Sequence, residues 1–424
     1  MSNIQKNEFY TFIITCPENV QHPLAKEISQ IFSIALEDVE ILFKAVRVKL
    51  PAEFFYKIHY SLHCASGIIW EIKSFSAKTP EMVYSQMARI HWSEYFDPTK
   101  TYSIEILGDK TNKIEYGNKI RQAIAQSFPA NERPKIDLAN PQIQLVAFIR
   151  EGRMSVGIRT SGLSLDKRGH KSKTKEHYAV LKENLASTLV KLANYTGHEL
   201  FYDPMCGSGT IAIASAYVAL KKSPLIHRKD EQFGFMELKN LDRELLRKTQ
   251  EELRKENTKR PAFPIFASDI NPNYVQLMQS VAFKARVEKY INSFERDFFA
   301  PKLHYSIQEY INQNPQVRRI LLMNTPYFIR EDESTDRDPK EFFSLLGKKL
   351  KTDYDGWDAY LLVAKSSPWK NVGLKPEIRV ELKNGDIDVL FLKFVIYGFK
   401  KKEEINGAGY ETRTHDLLHG KQTL

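Results

Sequence analysis

Residues 321–328 read LLMNTPYF. The apolar run Leu321-Leu322-Met323 halts at Asn324-Thr325-Pro326-Tyr327, as a buried strand does on meeting a turn, since Asn and Pro are both common loop punctuation. An Asn side chain and the adjacent main-chain carbonyl can both accept hydrogen bonds from an exocyclic amino group. Held so, the nitrogen aims its lone pair at an electrophilic methyl, which is catalysis chiefly by orientation. Tyr327 is expected to be an exposed aromatic that stacks on the face of a base, worth roughly 1–3 kcal/mol. The stretch reads as a base clamp, with Asn324, Thr325, Pro326 and Tyr327 as its catalytic residues.

Upstream, Asp203-Pro204-Met205-Cys206-Gly207-Ser208-Gly209-Thr210 follows the apolar ELFY and precedes a small-residue helix, TIAIASAYVAL. A strand, a glycine turn and a helix are the setting in which a cofactor approaches the backbone. The third glycine of the dinucleotide fingerprint is missing, which disfavours a nicotinamide cofactor. An acid just ahead of the glycines is awkward for a pyrophosphate but suits a positive amino or sulfonium group. Asp203, Pro204, Cys206, Gly207, Gly209 and Thr210 are therefore candidate cofactor residues. Asp269 ends the strand PIFASD, where a carboxylate can bind both ribose hydroxyls of an adenosine, and Asp297 in FERDFF follows another strand, where an adenine would be met. Any one of these acids alone is more often a helix cap or a loop residue. Their order along successive strand ends is what points to a ligand. Cys206 has no local His partner, which argues against a nucleophile, and His63, His91 and His177 lack metal-ligand spacing.

The elements that would position these groups fall into two patterns. Before residue 166, short strands (EFYTFIITC, AVRVKL, GIIWEIKSF, TYSIEILG) alternate with helices (HPLAKEISQIFS, PAEFFYKIHYSLHCA opened by Pro51, PEMVYSQMARI, YGNKIRQAIAQSF), and IQLVAFIRE and RMSVGIRTS form a hairpin around Glu151-Gly152. That is an α+β region. After the helix YAVLKENLASTLVKLA, strand–helix units repeat as in a doubly wound, mostly parallel sheet, and DVLFLKFVIYGF adds a closing strand with no helix behind it. Between its first two units, MELKNLDRELLRKTQEELRKENTKR reads as a charged helix with a solvated face. The last residues, KKEEINGAGYETRTHDLLHGKQTL, lack periodicity and are expected to be disordered.

The chain has 424 residues, with 62 Lys and Arg against 52 Asp and Glu, a net charge of +10. An excess of that size favours a polyanionic partner, because each basic residue on a phosphate releases counterions, although a merely basic surface gives the same sum. DKRGHKSKTK (residues 166–175) concentrates basic residues in an apolar-poor segment, either a solvated linker or a phosphate-facing loop. No apolar stretch approaches 18 residues, the start lacks a signal-peptide layout, and three scattered cysteines make neither a disulfide framework nor a zinc site. A reducing, cytoplasmic setting without metal or membrane follows.

The segments TSGLSLDKRGHK, LKENLA, FYDPMCGSGT, SDINP, NTPY, GWDAYLL and GLKP…NGDI, in that order, give the chain a resemblance to the THUMP-containing RNA guanine-N2 methyltransferases, namely the methyltransferase half of the large-subunit ribosomal RNA enzyme and its single-domain relatives. The resemblance implies a ferredoxin-like domain (1–60), a THUMP RNA-binding domain (61–165), a linker and connecting helix (166–195), a Rossmann-like S-adenosylmethionine-dependent methyltransferase domain (196–402) and a tail (403–424). It implies that Asp203 and the Gly207–Gly209 turn hold the methionine moiety, Asp269 the ribose and Asp297 the adenine amine. Asn324 and the Thr325 carbonyl would hold the target amine while Tyr327 stacks, and Lys167, Arg168, Lys171 and Lys173 would touch RNA phosphates. A monomer acting on a guanosine of ribosomal RNA is expected, with a transfer RNA guanosine as the alternative. One departure stands out: the family motif is Asn-Pro-Pro-Tyr, and Thr325 replaces its first proline, keeping the carbonyl, losing the fixed angle and adding a hydroxyl. Adenine-N6 methylation and an inactive RNA-binding relative stay open.

Overall fold

Aromatic and β-branched residues alternate through β1 (Phe9–Thr15), and the period of two buries Tyr10, Phe12 and Ile14 on one face. The computed structural model describes residues 9–108, 113–170, 181–255, 260–328 and 337–397; Lys171, Lys173 and the expected tail lie outside them. Two compact units emerge: Met1–Cys16, Leu24–Gly169 and Pro224–Lys255 form one, and Pro17–Pro23, His170–Ser223 and Glu256–Leu424 form the other.

In the first unit, α1 (Gln21–Phe32), β2 (Val39–Leu42), β3 (Ala45–Pro51), α2 (Lys57–Ser61), β4 (Gly67–Ser76), α3 (Pro80–Met87), β5 (Tyr102–Gly108), α4 (Lys113–Gln126), β6 (Ile143–Arg150) and β7 (Arg153–Arg159) follow β1. The seven strands form one sheet in the order β2-β3-β1-β4-β7-β6-β5. Its β5–β6 pair is parallel. β4 pairs with both β1 and β7, so this sheet runs without a break across residue 60. Pro51 closes β3 rather than opening a helix; one 3-10 turn, Ala52–Phe54, intervenes before the short α2. The β6–β7 hairpin turns where the sequence suggested. Glu151 and Gly152 there have φ of 51° and 71°, the left-handed pair that a two-residue turn of this twist requires.

The segment Pro224–Lys255 lies in sequence between two elements of the second sheet yet belongs to the first unit. Phe233 packs on Tyr60 with ring centroids 4.9 Å apart, and Phe235 on His59 at 5.0 Å. The Tyr60 hydroxyl donates to Asp230 Oδ1 at 2.9 Å and accepts from Gln250 Nε2 at 2.8 Å. The charged helix, observed as Arg243–Lys255, buries Leu246, Thr249 and Leu253. It is amphipathic rather than wholly solvated, because every third or fourth residue is apolar or small.

The second unit contains α5 (Glu183–Leu192), β8 (Leu200–Asp203) and α6 (Thr210–Ala219), with α7 (Arg243–Lys255) being the excursion just described. It continues through β9 (Ile265–Asp269), α8 (Pro272–Lys284), β10 (Ile291–Glu295), α9 (Tyr305–Gln313), β11 (Arg319–Asn324), α10 (Pro339–Asp353), β12 (Trp357–Ala364), β13 (Ile378–Asn384) and β14 (Ile387–Val395). The strand order is β10-β9-β8-β11-β12-β14-β13. β8 to β12 and β10 run parallel, and the closing strand expected near residue 390 is antiparallel to β12 and to β13. One face of the sheet is sealed by a cluster that includes Tyr202, Phe266, Leu321, Met323, Phe342, Leu346, Leu350 and Trp357. β8 is buried along its whole length, which matches a run of apolar residues with no alternation.

Candidate active site

β8, β9 and β11 end on Asp203, Asp269 and Asn324. The chain runs β8, β9, β10 toward one edge and returns with β11 on the other side of β8. The strand order therefore reverses between β8 and β11, the place where open α/β sheets leave a crevice at their carboxyl ends. Asp203 and Asn324 end the two strands that flank this point. From β10 to β11 there are three interstrand steps of about 4.8 Å, roughly 14 Å of edge, and Asp297, two residues past β10, marks its far end.

The glycine turn is strapped to β9. Cys206 N–H donates to the Ser268 carbonyl at 2.9 Å, Gly207 N–H to Asp269 Oδ2 at 2.9 Å, and Gly209 N–H to the Cys206 carbonyl at 2.7 Å. Gly209, at φ 79°, caps the N-terminus of α6 in the left-handed region, which a residue with a Cβ enters at a cost. Gly207 has φ 51°, and a Cβ placed on it meets nothing within 4 Å. The turn thus opens onto free space at Gly207.

Burial sets the charge state of these acids. Asp203 is 1 % exposed, and neither carboxylate oxygen makes a hydrogen bond of good geometry, the Met205 and Ala212 amides being weak partners. Burial first, and then the nearby Asp269 carboxylate, push the Asp203 carboxyl well above its usual range, with the Met205 and Ala212 amides drawing it partly back. Asp269 is also raised by burial and eased back by the amides of Asn271, Gly207 and Ile270. A poorly partnered buried carboxyl is costly, and a cation brought to it removes that cost. Cys206 is buried, and its thiol is pushed up by burial and by the two acids. A thiol so held is no nucleophile at neutral pH. Asp297 Oδ1 accepts from Phe299 N–H at 2.9 Å, and its Oδ2 is 3.9 Å from the Arg337 guanidinium, which also lies 4.5 Å over the Phe299 ring.

At the end of β11, Asn324 Oδ1 is buried without a hydrogen-bond partner. The next residue is tied to the sheet: Thr325, 1 % exposed, donates from its amide at 3.0 Å and from Oγ1 at 3.1 Å to the same Leu362 carbonyl. Pro326 is half-buried. Tyr327 is not the exposed aromatic that the sequence suggested. It is 3 % exposed, and its hydroxyl accepts from Asn384 Nδ2 at 3.2 Å. Phe328 follows at φ 55°, with its ring 5.3 Å from Phe342.

The basic segment does not behave as one surface. Lys167 is exposed, but Arg168 is only 2 % exposed and its Nη2 donates to the His63 carbonyl at 3.0 Å. A phosphate contact by Arg168 is corrected accordingly: a buried guanidinium that donates to the His63 carbonyl is a structural tie. Lys171 and Lys173 lie outside the described residues. Sequence reasoning missed Arg337, for which no local signal exists. It also missed a role for Asn384, although a two-residue turn at Asn384-Gly385-Asp386-Ile387 was legible. Among the described residues no cluster of His, Cys, Asp and Glu could hold a metal, and no helix is long and apolar enough to cross a membrane.

Residues 170–393 match the family described as UPF0020, RMKL-like, methyltransferase domain, and residues 77–159 match the THUMP domain. A ribosomal RNA large subunit methyltransferase K/L of Shewanella frigidimarina is 25 % identical over 406 residues, covering 93 % of this chain and 54 % of that protein. The chain thus spans about half the length of the curated relatives it matches first. A solved structure of SMU.472, a putative methyltransferase complexed with SAH, superposes with a TM-score of 0.75 at 20 % identity, covering 92 % of this chain and 99 % of that one. A predicted N6-adenine-specific DNA methylase from Listeria monocytogenes gives a TM-score of 0.76 at 17 % identity, over 94 % and 100 % of the two chains. At these identities the likeness is one of fold.

Proposed function

Since the chain belongs to the UPF0020 family of RMKL-like methyltransferase domains, we propose that it moves a methyl group from S-adenosylmethionine to the exocyclic N2 amine of a guanosine in large-subunit ribosomal RNA. The observation that carries this reading is a pair of buried, poorly satisfied groups at the ends of neighbouring strands, the Asp203 carboxylate and Asn324 Oδ1. A cationic donor and an amine acceptor would satisfy both.

The residues present fit the donor. Asp203 and the bare turn at Gly207–Gly209, with Pro204, Cys206 and Thr210 shaping it, would take the methionine end, Asp269 the ribose and Asp297 the adenine amine. Bound there, S-adenosylmethionine supplies a methyl group on a positively charged sulfur. The chain's own part is orientation. Asn324 Oδ1 and the Thr325 carbonyl accept the two amine hydrogens, which leaves the nitrogen lone pair facing the crevice. The amine proton then passes to solvent. Fixing two reactants in this way is worth up to about 7–11 kcal/mol of barrier.

Several finer assignments form part of the same proposal. The THUMP match favours RNA and the Shewanella relative's name ribosomal RNA, gripped by the first unit with its Lys167; phosphate contacts by Lys171 and Lys173 are part of the same proposal. The base would leave its stack to reach the crevice. A division of the first unit at residue 60 into ferredoxin-like and THUMP parts also belongs here.

The test is to incubate the protein with isotopically labelled S-adenosylmethionine and unmodified ribosomal and transfer RNA pools, then to identify labelled nucleosides by mass spectrometry. Label in N2-methylguanosine of ribosomal RNA, abolished by Asn324→Ala, is the expected result. Label in transfer RNA would change the substrate, and label in N6-methyladenosine the acceptor base. Binding of S-adenosylhomocysteine without transfer to any RNA would refute the enzymatic reading.

A further inference from the structure

β13 sends Val380, Leu382 and Asn384 to the buried face, with polar residues between them on the other. The period of two places Asn384 where an apolar side chain belongs. Only 5 % of Asn384 is exposed, and a buried amide needs partners for both its ends. It has them on two separate elements. Its Oδ1 accepts from the Lys182 amide, just ahead of α5, at 3.3 Å, and its Nδ2 donates to the Tyr327 hydroxyl at 3.2 Å. The hairpin turn makes this reach possible. Gly385, at φ 64°, begins a two-residue loop closed by the Asn384–Ile387 pair, so the Asn384 side chain leaves the sheet at its very end.

We propose that Asn384 is a positioning residue for methyl transfer, acting through Tyr327. This rests on the reading of Asn324 given above. Tyr327 lies three residues beyond Asn324, and Thr325 between them is already fixed to Leu362. Asn384 fixes the far end of the corner. With both ends held, Asn324 Oδ1 keeps its direction into the crevice even though no hydrogen bond holds it. The tyrosine hydroxyl is thereby assigned a structural duty: its ring backs the corner instead of lying free on the surface. A hairpin amide that serves only to seal the sheet edge would leave Tyr327 and turnover untouched when removed.

The experiment places 3-fluorotyrosine at position 327 of the full chain and follows its fluorine resonance, alongside methyl transfer to unmodified large-subunit ribosomal RNA and calorimetric binding of S-adenosylhomocysteine. Asn384→Ala is expected to shift the resonance. It should also lower kcat about 10- to 100-fold, the scale of a small misplacement of reacting groups, with affinity for S-adenosylhomocysteine unchanged. Tyr327→Phe keeps the ring and the Asn384–Lys182 bond and should lower kcat similarly, and the double variant should be no slower than either single one. An unmoved resonance, or losses that multiply in the double variant, overturns the proposal. So does full turnover in Tyr327→Phe, which stands as the decisive variant if Asn384→Ala does not fold. Absence of transfer by the unsubstituted chain would refute the functional reading instead, and the fluorine shift still reports on the Asn384 contact in that case.

Discussion

At Thr325 the chain carries two hydrogen bonds where the resembled family carries a proline ring, and the difference can be weighed. Its amide and Oγ1 both donate to the Leu362 carbonyl, at 3.0 and 3.1 Å. A neutral hydrogen bond contributes about 1 kcal/mol net. Thr325→Val keeps the shape and the amide and loses only the hydroxyl; with some return from the added methyl, it should cost about 0.5–1 kcal/mol. Thr325→Pro loses both donors, about 2 kcal/mol, against a gain of about 0.4–1 kcal/mol from a stiffer unfolded chain, for a net loss of about 1–1.5 kcal/mol. A chain of two units has no single unfolding free energy, so the assay must be local. Hydrogen exchange followed by mass spectrometry on peptides covering β11 and β12 reads the opening of this corner. Since each 1 kcal/mol changes an opening constant about fivefold, exchange should quicken about two- to fivefold in the valine variant and about five- to twelvefold in the proline variant. Exchange in the proline variant as slow as in the parent chain would refute the reasoning, because the ring alone would then hold what the two donors hold.

Three further outcomes are expected. Gly209→Ala forces a side chain into φ 79° and against Met278, so it should cost about 1–2 kcal/mol and weaken S-adenosylhomocysteine binding by calorimetry; unchanged affinity would show that the turn tolerates a Cβ. Asp203 has its carboxyl raised by burial and by Asp269. Its contribution to stability is full below the ordinary carboxyl range and is lost as pH rises through the raised value. A bound ammonium lowers that pKa again, so binding should release a proton and tighten as pH rises between the bound and free values. Binding heats that do not depend on the ionisation enthalpy of the buffer would contradict this. Lys167→Ala should flatten the salt dependence of RNA binding measured by titration, whereas Arg168→Ala should lower the first unit's thermal midpoint through the lost tie to His63; a changed salt slope with an unchanged midpoint in Arg168→Ala would reverse that assignment.

Much of the second sheet was legible because its signals are local. Asp203, Asp269 and Asn324 each end a run of apolar residues, and the carboxyl ends of parallel strands share one edge of the sheet, so their common location followed from the runs alone. β13 is absent from the strands read in the sequence: IRVELKN alternates charges with apolar residues over only seven positions. Arg168 and Tyr327 were misjudged for one shared reason. Each is buried by a partner far away in sequence, His63 for the first and Asn384 for the second, and no window of neighbouring residues contains that information. The same holds for Phe233 and Phe235, whose partners Tyr60 and His59 lie outside their own strand–helix unit.

The excursion Pro224–Lys255 has a consequence for synthesis on the ribosome. Chains ordinarily fold unit by unit from the amino end as they emerge. Here the first sheet is complete once residue 159 has been made, yet the aromatic residues that cover Tyr56, His59 and Tyr60 arrive only after β8 and α6 of the next unit have left the tunnel. For some 70 residues of elongation, several seconds at about 5–20 residues per second, the nascent amino-terminal unit waits with an apolar face bare, and α6 waits for the strand β9 it must pack upon. The first unit therefore matures only once Lys255 has emerged, when the second is already begun and β9 to β14 are still to come, and that interval is when a chaperone would find this chain.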